Sequence, residues 1–337
     1  MPLEHEDDKE TLEAKREDRG APEGAGPDSP LELSGTSRKE TLKRTFKEFS
    51  ADQLTDSAAA LTYYGVLALF PALIALVSII GLIGDSLTDS LIDNVRDVAP
   101  GPARQIVIDT LQNLANSKSA AGVGFIIGLV LALNAASGYV AAFARASNQI
   151  YDVEEGRPIW KLKPQQIAIT LVLIVLLVVI VAGVTVTGPL AGELLGLIGL
   201  GDVGALVFDI VKIPILLVLV SFLFAFLYWA APNVQQPGFK FVSPGGLVAL
   251  ILWVVVSALF ALYVANFSSY DKTYGSLGGV IAFLVWLWLT NVAVLFGAEF
   301  NAELQRSQQR EAGEPAPLDE PFLEPRDTTK LEKKENK

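Results

Sequence analysis

The sequence contains no cysteine, and its one histidine is His5, near the N-terminus. A chain without cysteine has no disulfides and no thiolate metal ligands, so cysteine usage says nothing about the redox compartment. A single histidine cannot supply the clustered imidazole ligands typical of catalytic zinc. The chain also lacks a GxxxxGK[ST] phosphate-binding loop. We therefore expect no ATP hydrolysis and, more broadly, no cofactor and no metal site.

Charged side chains are scarce in the middle of the chain. They make up 19% of all residues, against 51% hydrophobic residues, and they are concentrated in residues 1–56 and 301–337. The net charge of −11 argues against a nucleic-acid partner, because affinity for a polyanion comes largely from clustered Lys and Arg. The expected surroundings of the middle region are membrane lipids.

Long apolar stretches occupy this middle region, and each has roughly 20–26 residues. As a helix, such a stretch crosses a hydrocarbon core of about 30 Å. Barrel strands are excluded, because they alternate apolar and polar residues, whereas residues 167–182 are apolar almost throughout. The sequence therefore predicts an all-α, polytopic membrane helix bundle with six transmembrane helices, over 58–83, 122–143, 167–187, 210–229, 246–266 and 277–300.

Three regions follow from this pattern: a disordered acidic tail over 1–37, a six-helix transmembrane domain over 38–305, and a disordered charged tail over 306–337. The tails are rich in charged residues and proline, and they cannot bury enough apolar surface to offset the entropy of ordering. Residues 1–30 have no apolar core of a signal peptide. We therefore expect the first span to act as the insertion signal.

Lysine and arginine near the span ends predict the orientation, since cytoplasmic loops are enriched in these residues. Basic residues precede the first span, stand between the second and third spans, and follow the sixth. The stretch 164–211 contains none. We therefore predict that both termini are cytoplasmic.

Two connections between spans have unusual sequences. Residues 85–121 contain apolar positions at helical spacing around Pro100-Gly101-Pro102, which favours two short amphipathic helices, although a plain solvated connector is the alternative. Residues 188–209 are too apolar for an ordinary exposed loop. They form either a re-entrant hairpin or an early start of the fourth span near Val203.

Polar residues inside the spans are the candidate pathway or gate, because such groups are expensive in a membrane and usually face the bundle interior. In span two, Asn134, Ser137, Arg145 and Asn148 fall on one helical face. This spacing predicts a polar stripe that runs from the middle of the membrane to its cytoplasmic side.

Spans one and six carry further candidates. In span one, Asp56 and Tyr63 lie on one stripe, and Pro71 interrupts the backbone hydrogen bonding near the centre of the span. In span six, Asn291 and Glu299 follow a fourfold step that ends near the cytoplasmic boundary.

The predicted topology places three of these ionisable residues at a similar depth. A buried Arg145 would need a carboxylate partner, and Glu299 or Asp56 is the expected one. The pair would either lock the helix ends together or act as a gate whose pairing breaks during transport.

A family resemblance rests on five groups of residues. They are 59–64 (Ala-Ala-Leu-Thr-Tyr-Tyr) with Phe70-Pro71, 148–151 (Asn-Gln-Ile-Tyr) with Arg157, Tyr228 with Pro232, 274–278 (Tyr-Gly-Ser-Leu-Gly), and 297–301 (Gly-Ala-Glu-Phe-Asn). With these groups in this order, the chain resembles the YihY/BrkB family of bacterial inner-membrane proteins over residues 40–305. The resemblance implies a six-helix, multi-pass protein of the bacterial inner membrane, in a family whose older labels include ribonuclease BN and virulence factor.

The residues do not suit RNA hydrolysis, which needs clustered metal ligands or a histidine acid or base beside a cationic phosphate clamp. We expect instead a transporter of a lipid-like or other envelope-related substrate, or of another small molecule, that is not an enzyme. The alternative is a membrane scaffold whose acidic tails recruit envelope-assembly partners. A membrane-embedded enzyme ranks third, because no nucleophile and base pair is recognisable. A homo-oligomer is compatible with the sequence.

Overall fold

The computed structural model describes residues 33–83, 121–185, 201–236, 238–266, 276–313, 316 and 321–335. Within these ranges the backbone is helical, apart from short connections and one isolated antiparallel bridge between Val234 and Pro325. The helices are α1 Gly35–Ala51, α2 Leu54–Ile83, α3 Ala121–Ile150, α4 Ile159–Thr185, α5 Gly201–Ala230, α6 Pro244–Asn266, α7 Ser276–Glu311 and α8 Thr329–Glu335. The predicted all-α class is confirmed for these residues.

Four of these helices are long and apolar enough to cross a membrane, by length and composition, among the described residues. The spanning parts are Ile159–Ile180, Val211–Ala230, Pro244–Val264 and Gly278–Glu311. Large apolar side chains cover their outer surfaces, for example Val175, Ile251 and Leu259, which are each about 60% exposed. Such a surface is stable only against lipid. Helices α2 and α3 have 30 residues each, and a count of six spans stays a prediction.

The six long helices follow one another around a ring. Each packs against the next along the chain, from α2 to α7, and α7 returns to contact both α2 and α3. The short helix α1 lies outside this ring, against α7. The ring encloses the space in which any internal site of the bundle must lie.

One end of the bundle, here called the polar end, is formed by α1, the connections 151–158 and 231–243, and residues 321–335. Helix α1 is held there by Arg44, whose Nε lies 2.6 Å from Oε2 of Glu303 on α7. The hydroxyls of Thr41 and Ser307 lie 2.7 Å apart in the same contact. Polar contacts therefore attach α1 to α7 together with aromatic packing, since the rings of Phe46 and Phe49 lie 4.9 and 5.5 Å from the ring of Phe296.

Residues 321–335 pack against the bundle, which does not fit the expected disordered tail over 306–337. Arg326 donates from Nη2 to the Trp229 carbonyl at 2.6 Å, and Asp327 pairs with Lys161 at 2.6 Å. Phe322 is buried beside Tyr151. The tail composition is polar, but Arg326 and Phe322 meet partners in the bundle, and α7 itself continues to Glu311. At the other terminus, α1 begins at Gly35, inside the predicted tail over 1–37.

The alternatives for residues 188–209 are partly resolved. Helix α5 is continuous from Gly201 to Ala230, so the helix of the fourth span begins before residue 210, while its apolar spanning part is Val211–Ala230. Residues 186–200 lie outside the described residues, and so does the region predicted to hold two amphipathic helices, 84–120.

Helices α6 and α7 touch backbone to backbone at Gly245 and Gly297. A Cβ placed on Gly245 would lie 2.2 Å from the Gly297 carbonyl oxygen, and one on Gly297 would lie 2.5 Å from the Gly245 carbonyl oxygen. Only residues without a side chain permit this approach, which is typical of helix contacts in membranes.

Substitution of Gly297 tests this contact. Gly297→Ala should lower the free energy of unfolding by about 1–3 kcal/mol, because the added methyl group has no space beside Gly245, Ala249 and Tyr228. Gly279→Ala on the same helix is the control, since a Cβ there meets nothing within 4 Å. The measurement is the thermal unfolding midpoint in detergent. Equal midpoints for the two variants would contradict the close contact.

Candidate functional site

An apolar cavity of about 440 Å³ lies inside the ring of helices. All six long helices contribute to its wall. The lining includes Gly65 and Ala68 of α2, Ala136 and Tyr139 of α3, Thr170, Leu173, Ile174 and Leu177 of α4, Leu223 and Phe224 of α5, Trp253 of α6, and Trp286, Thr290 and Val294 of α7. A cavity with such walls suits an apolar ligand, because few polar groups are available to hold water.

A chain of hydrogen bonds stands at one side of this apolar cavity. The Tyr139 hydroxyl donates to Oδ1 of Asn291 at 2.8 Å, and Nδ2 of Asn291 donates to the Thr62 hydroxyl at 3.1 Å. Asn291 is 1% exposed, so these bonds satisfy an amide that would otherwise be costly to bury. The sequence-predicted residue Asn291 therefore joins α2, α3 and α7 inside the bundle.

A second cavity of about 260 Å³ lies near the polar end, between α5, α6 and α7. This polar cavity is lined mainly by amides, hydroxyls and aromatic rings, together with one lysine. The residues of this kind are Gln236, Asn301, Gln305, Gln308, Ser243, Tyr228, Trp229, Phe239 and Lys240. Such a lining can hydrogen-bond a polar ligand in several directions at once.

Three stacked rings, here called the aromatic wall, stand where the two cavities approach each other. Tyr228 lies between Phe143 and Phe224, with ring centroids 6.0 and 6.2 Å away. Its hydroxyl donates to the carbonyl of Val294 at 2.7 Å. Tyr228 lines the polar cavity, whereas Phe224 and Val294 line the apolar one. The wall therefore separates the two spaces in this structure.

The sequence-predicted residue Glu299 is 1% exposed and lies near the polar end. Its Oε2 has no hydrogen-bond partner among the described residues. The charged groups around it are Asp52, Glu303, Glu48 and Arg306. Glu303 is held by Arg44 at 2.6 Å and by Arg306 at 3.1 Å. Carboxylates therefore outnumber guanidinium groups in this acidic cluster.

Asp52 belongs to the same cluster, in the turn between α1 and α2. Burial is the largest cause, and together with the carboxylates of Asp152 and Glu48 and against the opposing effect of Arg306 it raises the pKa of the Asp52 carboxyl to about 7. The backbone carbonyl of Asp52 accepts a hydrogen bond from Gln149 at 2.8 Å, which fixes the turn against α3. Asp52 was not among the sequence-predicted candidates, because its burial depends on how the helices pack.

The expected ion pair of Arg145 is wrong for this structure. Arg145 is exposed and lies over the ring of Tyr64, 5.8 Å from its centroid, without an ion pair to Glu299 or Asp56. A guanidinium that keeps its solvation needs no buried carboxylate. Asp56 is exposed in the first turn of α2, where a negative charge complements the helix dipole.

The predicted polar stripe on span two does not form one continuous lining. Asn134 is exposed, whereas Ser137 is fully buried and accepts a hydrogen bond from Lys163 at 2.7 Å. Asn148 is buried and bonds to the backbone N–H of Asn233 at 2.7 Å and to Glu155 at 3.0 Å. These three residues lie on one helix face but in three different environments.

Tyr63 of span one lies apart from both cavities, and Pro71 of the same span has a side chain outside the described residues. Tyr63 is 60% exposed and stands with its ring edge against Tyr64, on the outer surface of α2. Helix α2 continues through Pro71 to Ile83, but the side chain of Pro71 and its surroundings lie outside the described residues.

Sequence reasoning gave no site role to the amides of the polar cavity or to the buried Arg157, although Arg157 and Asn301 belong to the groups that carry the family resemblance. Asn301, Gln305 and Gln308 recur at steps of four and three on α7, which is a signal that the sequence does contain. Arg157 is 4% exposed, pairs with Glu155 at 2.6 Å and donates to the Ala231 carbonyl at 3.1 Å. It thereby ties the connection 151–158 to the end of α5.

The raised pKa of Asp52 predicts a pH dependence of stability. The folded state binds a proton at this carboxyl up to about pH 7, whereas an unfolded aspartate releases it near pH 4. Stability should therefore fall as the pH rises from about 4 to about 7 and then level off. Asp52→Asn should unfold at a higher temperature than the unaltered protein at pH 8 and show a smaller loss across this range. The matched control is Asp56→Asn, an exposed carboxyl. Identical profiles for the two variants would contradict the assignment.

Comparison with known proteins gives a family. A model described as "Virulence factor BrkB" matches residues 45–320. The ribonuclease-like protein YfkH of Bacillus subtilis strain 168 is 30% identical over 269 residues, which are 80% of this chain and 96% of that protein. No solved structure matches.

Two longer relatives are named only as UPF0761 membrane proteins. The protein of Alkalilimnicola ehrlichii is 31% identical over 77% of this chain and 56% of its own length. The protein of Azoarcus sp. strain BH72 is 29% identical over 82% of this chain and 66% of its own length. The chain thus spans less than two thirds of these relatives. The family model covers most of this chain and the resemblance seen in the sequence is confirmed, so the protein belongs to the BrkB family of membrane proteins.

Proposed function

We propose that this protein transports an amphipathic, lipid-like molecule of the cell envelope and is not an enzyme. The observation that carries the proposal is the apolar cavity of about 440 Å³ inside the ring, with the polar cavity across the aromatic wall. Together they offer one apolar and one polar compartment, which matches the two halves of an amphiphile.

The apolar cavity is large enough for part of an acyl chain. It has about three times the volume of an engineered ~150 Å³ cavity that stays dry and binds benzene. Each methylene group that moves from water into such a space gains about 0.8 kcal/mol. A lipid tail that moves from the membrane into the cavity exchanges one apolar environment for another, so it gains no such free energy. The cavity therefore lets a tail enter the bundle without a large cost in free energy.

A path from the lipid phase to the cavity is available on α4. Ile174 and Leu177 line the apolar cavity and are 36% and 50% exposed. Their flexible apolar side chains mark the point where a lipid tail would enter the cavity. Lateral entry of a tail requires them to change rotamer, without unfolding of the helix.

The proposal includes the predicted topology of six spans with both termini in the cytoplasm of a bacterial cell, in the inner membrane. Basic residues at the polar end support this orientation, because cytoplasmic segments are enriched in Lys and Arg. They include Arg44, Arg157, Lys161, Arg306 and Arg326. Membrane lipids are the proposed surroundings, and a nucleic acid is not a proposed partner.

Single-cysteine labelling tests the orientation, since the chain contains no cysteine of its own. Lys330→Cys, on the exposed side of α8, should react with a membrane-impermeant maleimide only after inner-membrane vesicles of cytoplasmic-side-in orientation are opened. Ser117→Cys, in the predicted outer connection, should react from outside in the same intact vesicles. The reverse pattern would refute the proposed orientation.

Reconstitution into liposomes tests transport. The protein should accelerate the movement of fluorescent lipids between leaflets, and Ala136→Phe should slow it about tenfold, because a ring in the apolar cavity adds about 1.4 kcal/mol to the barrier. Val130→Phe adds the same ring to the same helix at a position that is 60% exposed, and it should have no effect.

Two outcomes would contradict the proposal. Vesicles with unaltered protein that behave like empty vesicles would favour the scaffold alternative over transport. Equal slowing by Ala136→Phe and Val130→Phe would mean that the cavity is not the route. Unfolding midpoints of both variants, measured in the same detergent, separate a blocked route from a damaged fold.

A further inference from the structure

The lining of the polar cavity indicates what kind of polar group it binds. Four residues with carboxamide side chains, Gln236, Asn301, Gln305 and Gln308, line this space together with Tyr228 and Ser243. Among its described lining residues there is no carboxylate, and Lys240 supplies the one cation. Carboxamides dominate the hydrogen-bonding capacity of this site.

A carboxamide both donates and accepts hydrogen bonds, as does an alcohol hydroxyl. Several carboxamides around one space therefore match a ligand with several hydroxyl groups. A phosphate would be better held by the planar forks of arginine, and the described residues that line this cavity include no arginine. The amide set thus favours an uncharged, hydroxylated ligand over an anion.

A cationic head group is also disfavoured. Trp229 and Phe239 could in principle hold a quaternary ammonium by cation–π contacts. However, Arg326 already lies over the Trp229 ring, 5.2 Å from its centroid. A second cation would be repelled by Arg326 and Lys240, and no carboxylate stands among the described residues that line this cavity.

Part of the amide set is held in place before any ligand arrives. The Tyr151 hydroxyl donates to Oε1 of Gln305 at 3.2 Å and accepts from Nε2 of Gln236 at 3.3 Å. Nε2 of Gln236 also donates to the Tyr228 carbonyl at 2.8 Å. These bonds fix two amides on opposite walls, which reduces the entropy that a ligand must pay for on binding.

The volume limits the size of the ligand. At about 260 Å³ the polar cavity is less than twice the ~150 Å³ cavity that holds benzene. One six-membered ring with its hydroxyl substituents fits this space, whereas a chain of several rings does not.

We propose that the polar cavity binds a single polyhydroxylated ring, a sugar or an inositol, that forms the head group of the transported lipid. This inference rests on the proposed function for the tail, which occupies the apolar cavity on the other side of the aromatic wall. Tyr228 then stands between the head group and the tail of the lipid. Displacement of its hydroxyl from the Val294 carbonyl would let the head group and the tail occupy the polar and the apolar cavity at the same time.

Head-group selectivity in proteoliposomes tests the proposal. The probes carry the same fluorescent acyl chain on glucosyl-diacylglycerol, phosphatidylcholine or phosphatidylglycerol. The glucosyl lipid should move about tenfold faster than the other two, a factor that corresponds to about 1.4 kcal/mol. Gln308→Met and Gln305→Met keep the side-chain length but remove the amide, and each should lower the rate of the glucosyl lipid to that of phosphatidylcholine in the same vesicles, which abolishes the preference. Gln235→Met, an exposed amide outside the cavity lining, is the matched control and should keep the preference.

A direct binding measurement tests whether the polar cavity binds the sugar ring, independently of any lipid transport. Methyl glucoside is added to the protein in lipid nanodiscs, and contact is read by saturation-transfer NMR in the unaltered protein and in Gln308→Met. A signal that the substitution removes supports the site, even if no lipid moves and the proposed transport fails.

The remaining outcomes overturn the head-group proposal. Equal rates for all three lipids would refute it while leaving lipid transport in place. Faster movement of phosphatidylglycerol would mean recognition of phosphate through Lys240 rather than of hydroxyls. Transport of free glucoside without any effect on the glucosyl lipid would assign the cavity to a soluble sugar. Absence of both lipid movement and glucoside binding would remove the site altogether.

Discussion

The contact between Gly245 and Gly297 is the constraint on which the arrangement of the polar end depends. Because the two backbones touch, α6 begins directly beside the last third of α7, and the space left next to them becomes the polar cavity. The Tyr228 hydroxyl packs against the same contact, because it would lie 2.7 Å from a Cβ on Gly297. One pair of small residues therefore sets both the cavity and the ring that separates it from the apolar space.

Burial of polar groups follows a consistent rule in this bundle. Asn291, Tyr139 and Thr62 satisfy one another across three helices, and Tyr228 uses a backbone carbonyl of α7. Glu299 is one of several exceptions, since its Oε2 finds no hydrogen-bond partner in the described part of the chain. A buried carboxyl oxygen without a hydrogen bond costs about 1–3 kcal/mol or more. The packing of the surrounding helices must therefore compensate for this cost to hold Glu299 in place.

The sequence predicted what depends on composition and periodicity, and missed what depends on packing. Long apolar runs gave the helices, and the spacing of Asn291 and Glu299 correctly indicated buried polar residues on α7. The prediction for Arg145 was wrong, because helical spacing tells which residues lie on the same face of a helix but not whether another helix covers that face. The amides of the polar cavity come from separate segments, so only the fold brings Gln236 to Gln305.

Residues 321–335 follow every long helix in the chain, so they are synthesised after all of them. Gly156 packs so closely against the Asp327 carbonyl that a Cβ there would lie 1.9 Å from the carbonyl oxygen, and Nδ2 of Asn233 donates to the same oxygen at 3.0 Å. One late segment thus fastens the connections before α4 and after α5. Membrane insertion can be complete while these two connections are still loose, and closure of the polar end becomes a separate, final step of assembly.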